Sequence, residues 1–484
     1  MVRSIGRREF LKAGAAGAAG AALSGLVPSG ASAGVRPLPI RAVRSAIGVA
    51  NGLVQAGPEL ALPPGFTYKT FGAFGSAMSD GFITPPIHDG MGVFADVGGG
   101  YRVVRNHETG DSNDNVAGTV LGDPATAYDT KAPGGTVTLV LDDQADLVSH
   151  FISLNGTDSN CSGAPTPWDT WLTCEECTVG TGRGWGKPHG YMFEMEPSAD
   201  VAEKRQPIKA MGRFTHEAAA VDPETSVVYM TEDFNPDCFY RYVPDTPGNL
   251  AAGGVLQALK IKGMPGYNTI TGETVGAALP VVWVDIDDPD PADTETHPRA
   301  VRLQAKARGA ATFLSGEGCT WRDDHVVFGS SDGGDRGRGQ LWTYRSTKRR
   351  GELDEVGELT LLFESPGKGV LDFPDNLCTS PGGGIVLAED GDDEENYVRA
   401  LLPDGTTMIP LAQNLVDVRR HLIDASGKLY DPTVPDDDFG VGDGVGRSEF
   451  AGPRFSPDGT WLFVNIQVPG ITCAITGDWE SLGI

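Results

Sequence analysis

Acidic residues recur at the two ends of short apolar hairpins in this chain, and one such end carries a thiol. Glu217 and Glu232 bracket an apolar run, a turn and a second apolar run, and so do Asp375 and Glu389. Glu317 with Ser331, Glu449 with Asn465, Cys161 with Glu176 and Asp89 with Glu108 repeat the order more loosely. The paired ends lie 14 to 16 residues apart, and 19 apart in the first unit. A strand, a tight turn and a returning strand consume that length at about 3.3 Å per residue each way, so both ends return to one level. The expected ring is Asp89, Glu108, Cys161, Glu175 or Glu176, Glu217, Glu317, Asp375 and Glu389. Crowded carboxylates raise one another's pKa, and bound cations are the simplest relief. Oxygen-rich sites suit Ca2+. A thiolate suits a transition metal such as iron. His107 and His216 each precede an acid, and on a strand they point away from it, as core or supporting groups.

The elements that must carry such a ring are strands. Runs at 101–105, 136–141, 227–231, 326–329, 384–388 and 461–466 are rich in Val, Leu, Tyr and Phe and are bounded by Gly, Pro and Asp. Few segments have a 3.6-residue period; 251–259, 300–307 and 410–418 are expected as short helices or insertions. Repeated hairpins arranged radially predict an all-β fold, a six-bladed β-propeller with short helical or loop insertions between blades. The acidic stretches 285–293 and 390–395 lack EF-hand spacing and read as solvated loops. Lys348-Arg349-Arg350 reads as a surface turn.

The first 33 residues read as an address. Arg7-Arg8 precedes Phe10-Leu11, a weakly apolar Ala/Gly stretch and a small-residue cleavage pattern at Ala31-Ser32-Ala33. This is the arrangement read by the bacterial twin-arginine translocase, which moves folded proteins, so the expected location is periplasmic or extracellular. The expected organisation is a signal peptide at 1–33, an extension at 34–64 and one propeller domain at 65–484. A net charge of −27 argues against nucleic acid as a partner, and the leader is too weakly apolar to be a stable membrane anchor. Bound cations would have to reverse that field for an anionic substrate to enter. Seven cysteines is an odd number; Cys174 and Cys177 read as a local disulfide, a metal pair or reduced core thiols.

Several of these segments resemble one family. Asn106-His107-Glu108, the run from Asn160-Cys161 to Trp168, Cys174-Glu175-Glu176, His216-Glu217-Ala218, Pro374-Asp375-Asn376 and Val464 to Ile471 are similar to the PhoX-type alkaline phosphatases, over nearly the whole chain from Gly65. The resemblance implies a six-bladed propeller that hydrolyses small phosphomonoesters with iron (Fe3+) and calcium (Ca2+) and a metal-activated oxygen nucleophile. It implies Cys161 on iron, Glu176 and Glu217 on or between metals with Glu217 at the reaction centre, and Glu317 and Asp375 on calcium. Glu108, Glu175 and Glu389 follow from the repeat. The family's pattern places an Arg two residues before Glu317, where this chain has Ser315, so Arg454 or Arg105 becomes the candidate phosphate ligand. A calcium-dependent lactonase or phosphodiesterase, or a non-catalytic binding propeller, is the alternative. Cys161 speaks against the first two.

Overall fold

The computed structural model describes residues 50, 52–110, 120–202, 204–346, 356–391, 395–416 and 448–484. The expected leader, most of the 34–64 extension, the 348–350 turn and parts of 390–395 and 410–418 lie outside the described residues. No helix among the described residues is long and apolar enough to cross a membrane.

The hairpins read from the sequence are present. Strands His88–Ala95, Asn160–Pro165, His216–Val221, Gly316–Arg322, Pro374–Thr379 and Phe450–Phe455 each pair antiparallel with the next strand in the chain. These first strands pack against one another in order, and the last returns to His88–Ala95, closing the circuit. Further strands lie outward of each hairpin, giving an all-β, propeller-like arrangement. Apolar cores fill the gaps between successive units. Val104 meets Trp171, Leu172 joins Val228, Tyr229 joins Phe328, Val327 joins Leu377, Val386 joins Leu462, and Phe463 joins Met91. Several returning strands, such as Val228–Glu232 and Ile385–Glu389, are buried along their whole length and read as continuous apolar runs.

Separate blades are not what the hydrogen bonds draw. The described strands form five sheets, one of them nine-stranded. Strand Ala278–Asp285 pairs with Gly254–Ile261 on one side and Gly357–Glu364 on the other, so two neighbouring units share a sheet. Segment 251–259, expected as a helix or insertion, is a 3-10 turn at Leu250–Ala252 followed by strand Gly254–Ile261, because strands on both sides supply its hydrogen bonds. Segment 410–418 begins within strand Met408–Asn414, with Pro410 at a register shift where its missing N–H is tolerated. Ala300–Ala307 is the expected helix.

The chain before residue 65 also enters the sheets. Leu60–Leu62 pairs with Met408–Asn414, and Thr67–Phe71 pairs with the last strand, Ile471–Thr476. The boundary expected at residue 65 therefore falls between two segments that both belong to the fold.

Trp171 ties packing to the ring. It is fully buried, and its indole N–H donates to Asn106 Oδ1 at 3.0 Å. The Asn106 amide then donates to the carbonyls of Cys161 and Ser162 at 3.0 and 2.8 Å. Trp171→Ala is expected to cost about 3–5 kcal/mol, read by denaturant unfolding, and Trp171→Phe less.

Candidate metal centre

One local device recurs at the start of each first strand. The register slips after His88, Asn160, His216, Gly316, Pro374 and Ala451, leaving two residues opposite one. Such a bulge re-aims a side chain out of the ladder. The re-aimed residues in the first five hairpins are Asp89, Cys161, Glu217, Glu317 and Asp375. In four of these hairpins the residue two places earlier is left-handed: Ile87, Ser159, Ser315 and Phe373 have φ between 46° and 51°. In all six hairpins the residue at this earlier position accepts a backbone bond from the far end of its hairpin. The donors are Glu108, Glu176, Asp233, Ser331, Asp390 and Gln467, and the acceptors are the carbonyls of Ile87, Ser159, Thr215, Ser315, Phe373 and Glu449. The mouth is thus built twice over, from strand starts and strand ends.

Close approach of the first strands requires small residues beside the re-aimed ones. A Cβ on Gly90 would sit 2.5 Å from Ser162 Cα, and one on Gly318 would sit 2.5 Å from Leu377 N.

The re-aimed side chains converge. Asp89, Glu108 and Cys161 offer ligand atoms within 4.8 Å of one another, as do Cys161, Glu176 and Glu217, and Glu217, Glu317 and Asp375. All are buried. Cys161 belongs to two groups and Glu217 to two, so the three groups form one continuous chain. Cys161 Sγ lies 2.9 Å from Glu217 Oε1 and 3.6 Å from Asp89 Oδ1. Neutral amides and a hydroxyl orient the acids. Asn376 donates to Glu217 and Asp375, Ser331 to Glu317, and Gln467 to both Asp89 and Glu108 at 2.9 and 3.0 Å. Six buried carboxyl groups and a thiol in such proximity fit a set of hard cations plus one thiolate-tolerant ion.

Two expected ring members face the other way. Glu175 precedes Glu176, and strand alternation turns it into the blade. There it accepts from Asp158 N, Gly190 N and Tyr191 N and contacts His189 Nδ1 at 2.7 Å. Burial opposes a charge on His189, but Glu175 and Asp129 outweigh it and hold its pKa at about 10. Glu389 likewise pairs with Arg399 and accepts from Asp372 N, and burial raises its pKa to about 7. Its neighbour Asp390 occupies the strand-end position. The sixth hairpin also departs from expectation. Glu449 supplies its backbone carbonyl to Gln467 N, and Ala451-Gly452 stand where other hairpins carry an acid or thiol. Ser331 is the hairpin end expected from the sequence, whereas Gln467, Asp233 and Asp390 were not read from it; the hairpin offset, applied one residue later, would have found the last two.

The candidate phosphate ligands differ in placement. Arg105 is fully buried and bonded to Gly72, Thr472 and His107. Arg454 lies farther along its strand, donating from Nε to the Met91 carbonyl at 3.3 Å. Ser315 donates to Asp332. His107 and His216 bond the carbonyls of Pro86 and Gly212, and burial pushes both pKa values down, for His216 to about 3. All seven cysteines are buried and none is in a disulfide, so Cys174 and Cys177 are reduced core thiols. The 285–293 acids are spent locally: Asp285 on Gln257, Asp287 on Arg308, Asp290 on Tyr191 and Lys209.

The model of one family, alkaline phosphatase PhoX, matches residues 50–470. No curated protein sequence matches the chain. Among solved structures, PhoX of Pseudomonas fluorescens, in complex with the transition-state analogue vanadate, is similar with a TM-score of 0.63 at 16% identity. That match covers 87% of this chain and 96% of the other. A gluconolactonase of Xanthomonas campestris covers 87% of this chain and 91% of its own at 11% identity, but its TM-score of 0.35 is too low to bear on the fold. The family match spans nearly all of the described strands, and the chain belongs to the PhoX family of alkaline phosphatases.

Proposed function

We propose that the converging acids and Cys161 form the metal-binding active site of an exported phosphomonoesterase. The observation that carries this reading is the chain of three overlapping donor groups on a member of a phosphatase family. Cys161 with Glu176 and Glu217 suits Fe3+, because a thiolate is a poor ligand for calcium. Glu217, Glu317 and Asp375 offer only oxygen and suit Ca2+, and Asp89 and Glu108 extend the set on the other side of Cys161. Metals bound there would neutralise phosphate oxygens and lower the pKa of an attacking water.

The chain's own groups divide the remaining work. Glu217, shared by two donor groups, is the carboxylate placed to bridge. Asn376, Ser331 and Gln467 fix carboxylate orientation, so the acids need not reorganise when substrate arrives. Ala451-Gly452 leaves one sector of the ring without an acid, and Arg454 is the next polar side chain on that strand. Among the described residues its hydrogen bond comes from Nε, and we assign its Nη atoms to the substrate's phosphate in place of the Arg absent at Ser315. The closed circuit of first strands supports six blades, with strand Ala278–Asp285 as a strap between the third and fourth. Arg7-Arg8 and the stretch behind it support twin-arginine export, by which a domain of residues 65–484, with the strands before it that join its sheets, would leave the cytoplasm already folded around its metals.

The protein is expected to hydrolyse 4-nitrophenyl phosphate at alkaline pH with calcium present and to lose that activity to a calcium chelator. Glu217→Gln should reduce turnover more than about 100-fold, beyond the 10–100-fold typical of residues that only orient ligands. No hydrolysis by protein with its metals verified by elemental analysis would reject the reading. Arg454→Gln should raise KM for the same ester about tenfold or more, in line with loss of a charged hydrogen bond. An unchanged KM would remove Arg454 from the substrate's path.

A further inference from the structure

Arg105 is fully buried, and among the described residues no carboxylate lies within ion-pair distance of it. Burying a guanidinium without a counter-ion is costly, so its bonds must hold something in place. Nη1 donates to the Gly72 carbonyl at 3.0 Å and the Thr472 hydroxyl at 2.7 Å. Nε donates to His107 Nε2 at 3.3 Å.

That last bond decides a tautomer. His107 must present a lone pair at Nε2, so its proton sits on Nδ1 and is donated to the Pro86 carbonyl at 2.8 Å. His88 meets the edge of the His107 ring with centroids 5.0 Å apart, and its own Nε2 donates to the Pro85 carbonyl at 3.1 Å. The two imidazoles thus grip consecutive proline carbonyls from opposite nitrogens. Ile87 follows, with its left-handed φ of 51°, and its carbonyl accepts from Glu108 N at 3.1 Å. Two residues further on is Asp89.

We infer that Arg105, His107 and His88 are positioning residues that lock the Pro85-Pro86-Ile87 backbone and thereby aim Asp89 and Glu108 at Cys161 as metal ligands. The inference rests on the ring being a metal centre. It gives Arg105 a task other than phosphate binding. It also explains why both acids of this hairpin are each preceded by a histidine.

The two imidazoles allow a mirrored test. The Asn side-chain amide reaches about as far as Nδ1 and the Gln amide about as far as Nε2. His107→Asn and His88→Gln keep the bond to their proline carbonyls, whereas His107→Gln and His88→Asn lose it. The readouts are calcium and iron per chain by elemental analysis, and the calcium concentration that gives half of the rise in melting temperature. The first two variants should stay within about threefold of the parent, and the second two should need about 10–100-fold more calcium, as for other groups that orient metal ligands. Should an imidazole variant not fold, Arg105→Lys, which cannot keep the bonds to His107, Gly72 and Thr472 together, must still raise the calcium requirement. Amide pairs that behave alike, in a parent that binds metal, overturn the relay alone. A parent that takes up no metal overturns the metal-centre reading and the relay with it.

Discussion

Mutual repulsion among buried carboxylates is the constraint around which this molecule is organised. Asp89, Glu108, Glu176, Glu217, Glu317 and Asp375 come from hairpins spread over most of the chain and meet with ligand atoms within 4.8 Å inside each group. Burial limits screening by water there, and without counter-cations their proximity would oppose folding. The structure answers with rigidity. First strands pack in a closed circuit, bulges set the direction of Asp89, Glu217, Glu317 and Asp375, and glycines let neighbouring backbones approach. Amides and a hydroxyl hold the carboxylates without adding charge.

Behind the ring, the electrostatics reverse. The residues just inside the strand ends, Glu175, Glu232 and Glu389, face into their blades and meet His189, Arg302 and Arg399. Each of these acids is satisfied by a resident cation. A single step along a strand therefore separates an acid with a structural task from one suited to metal.

That step limited what was legible in the sequence. The hairpin repeat, the all-β class and the converging residues Asp89, Cys161, Glu176, Glu217, Glu317 and Asp375 could be read because acid, apolar run, turn and apolar run recur at a nearly fixed length. Glu389 and Asp390 could not be told apart by spacing alone, since only the pairing register says which faces the mouth. Glu449 mimicked the pattern, but the bulge in its hairpin comes later, and the ring position falls on Ala451-Gly452. The strand Gly254–Ile261 and the shared nine-stranded sheet depend on partners distant in sequence, which no local period reports.

The pairing of Thr67–Phe71 with Ile471–Thr476 has a consequence for how the molecule is made. The inner part of the last blade comes from the end of the chain, and its outer strand comes from near the beginning. During synthesis the early strand must wait for its partner until almost every other strand exists, and the entropy of joining two such distant segments is met only at that moment. Leu60–Leu62 with Met408–Asn414 is a second such seam, and the one in the last blade is sewn last. Until it is sewn the mouth is not a ring, and ions meeting the nascent chain find scattered carboxylates rather than a coordination site.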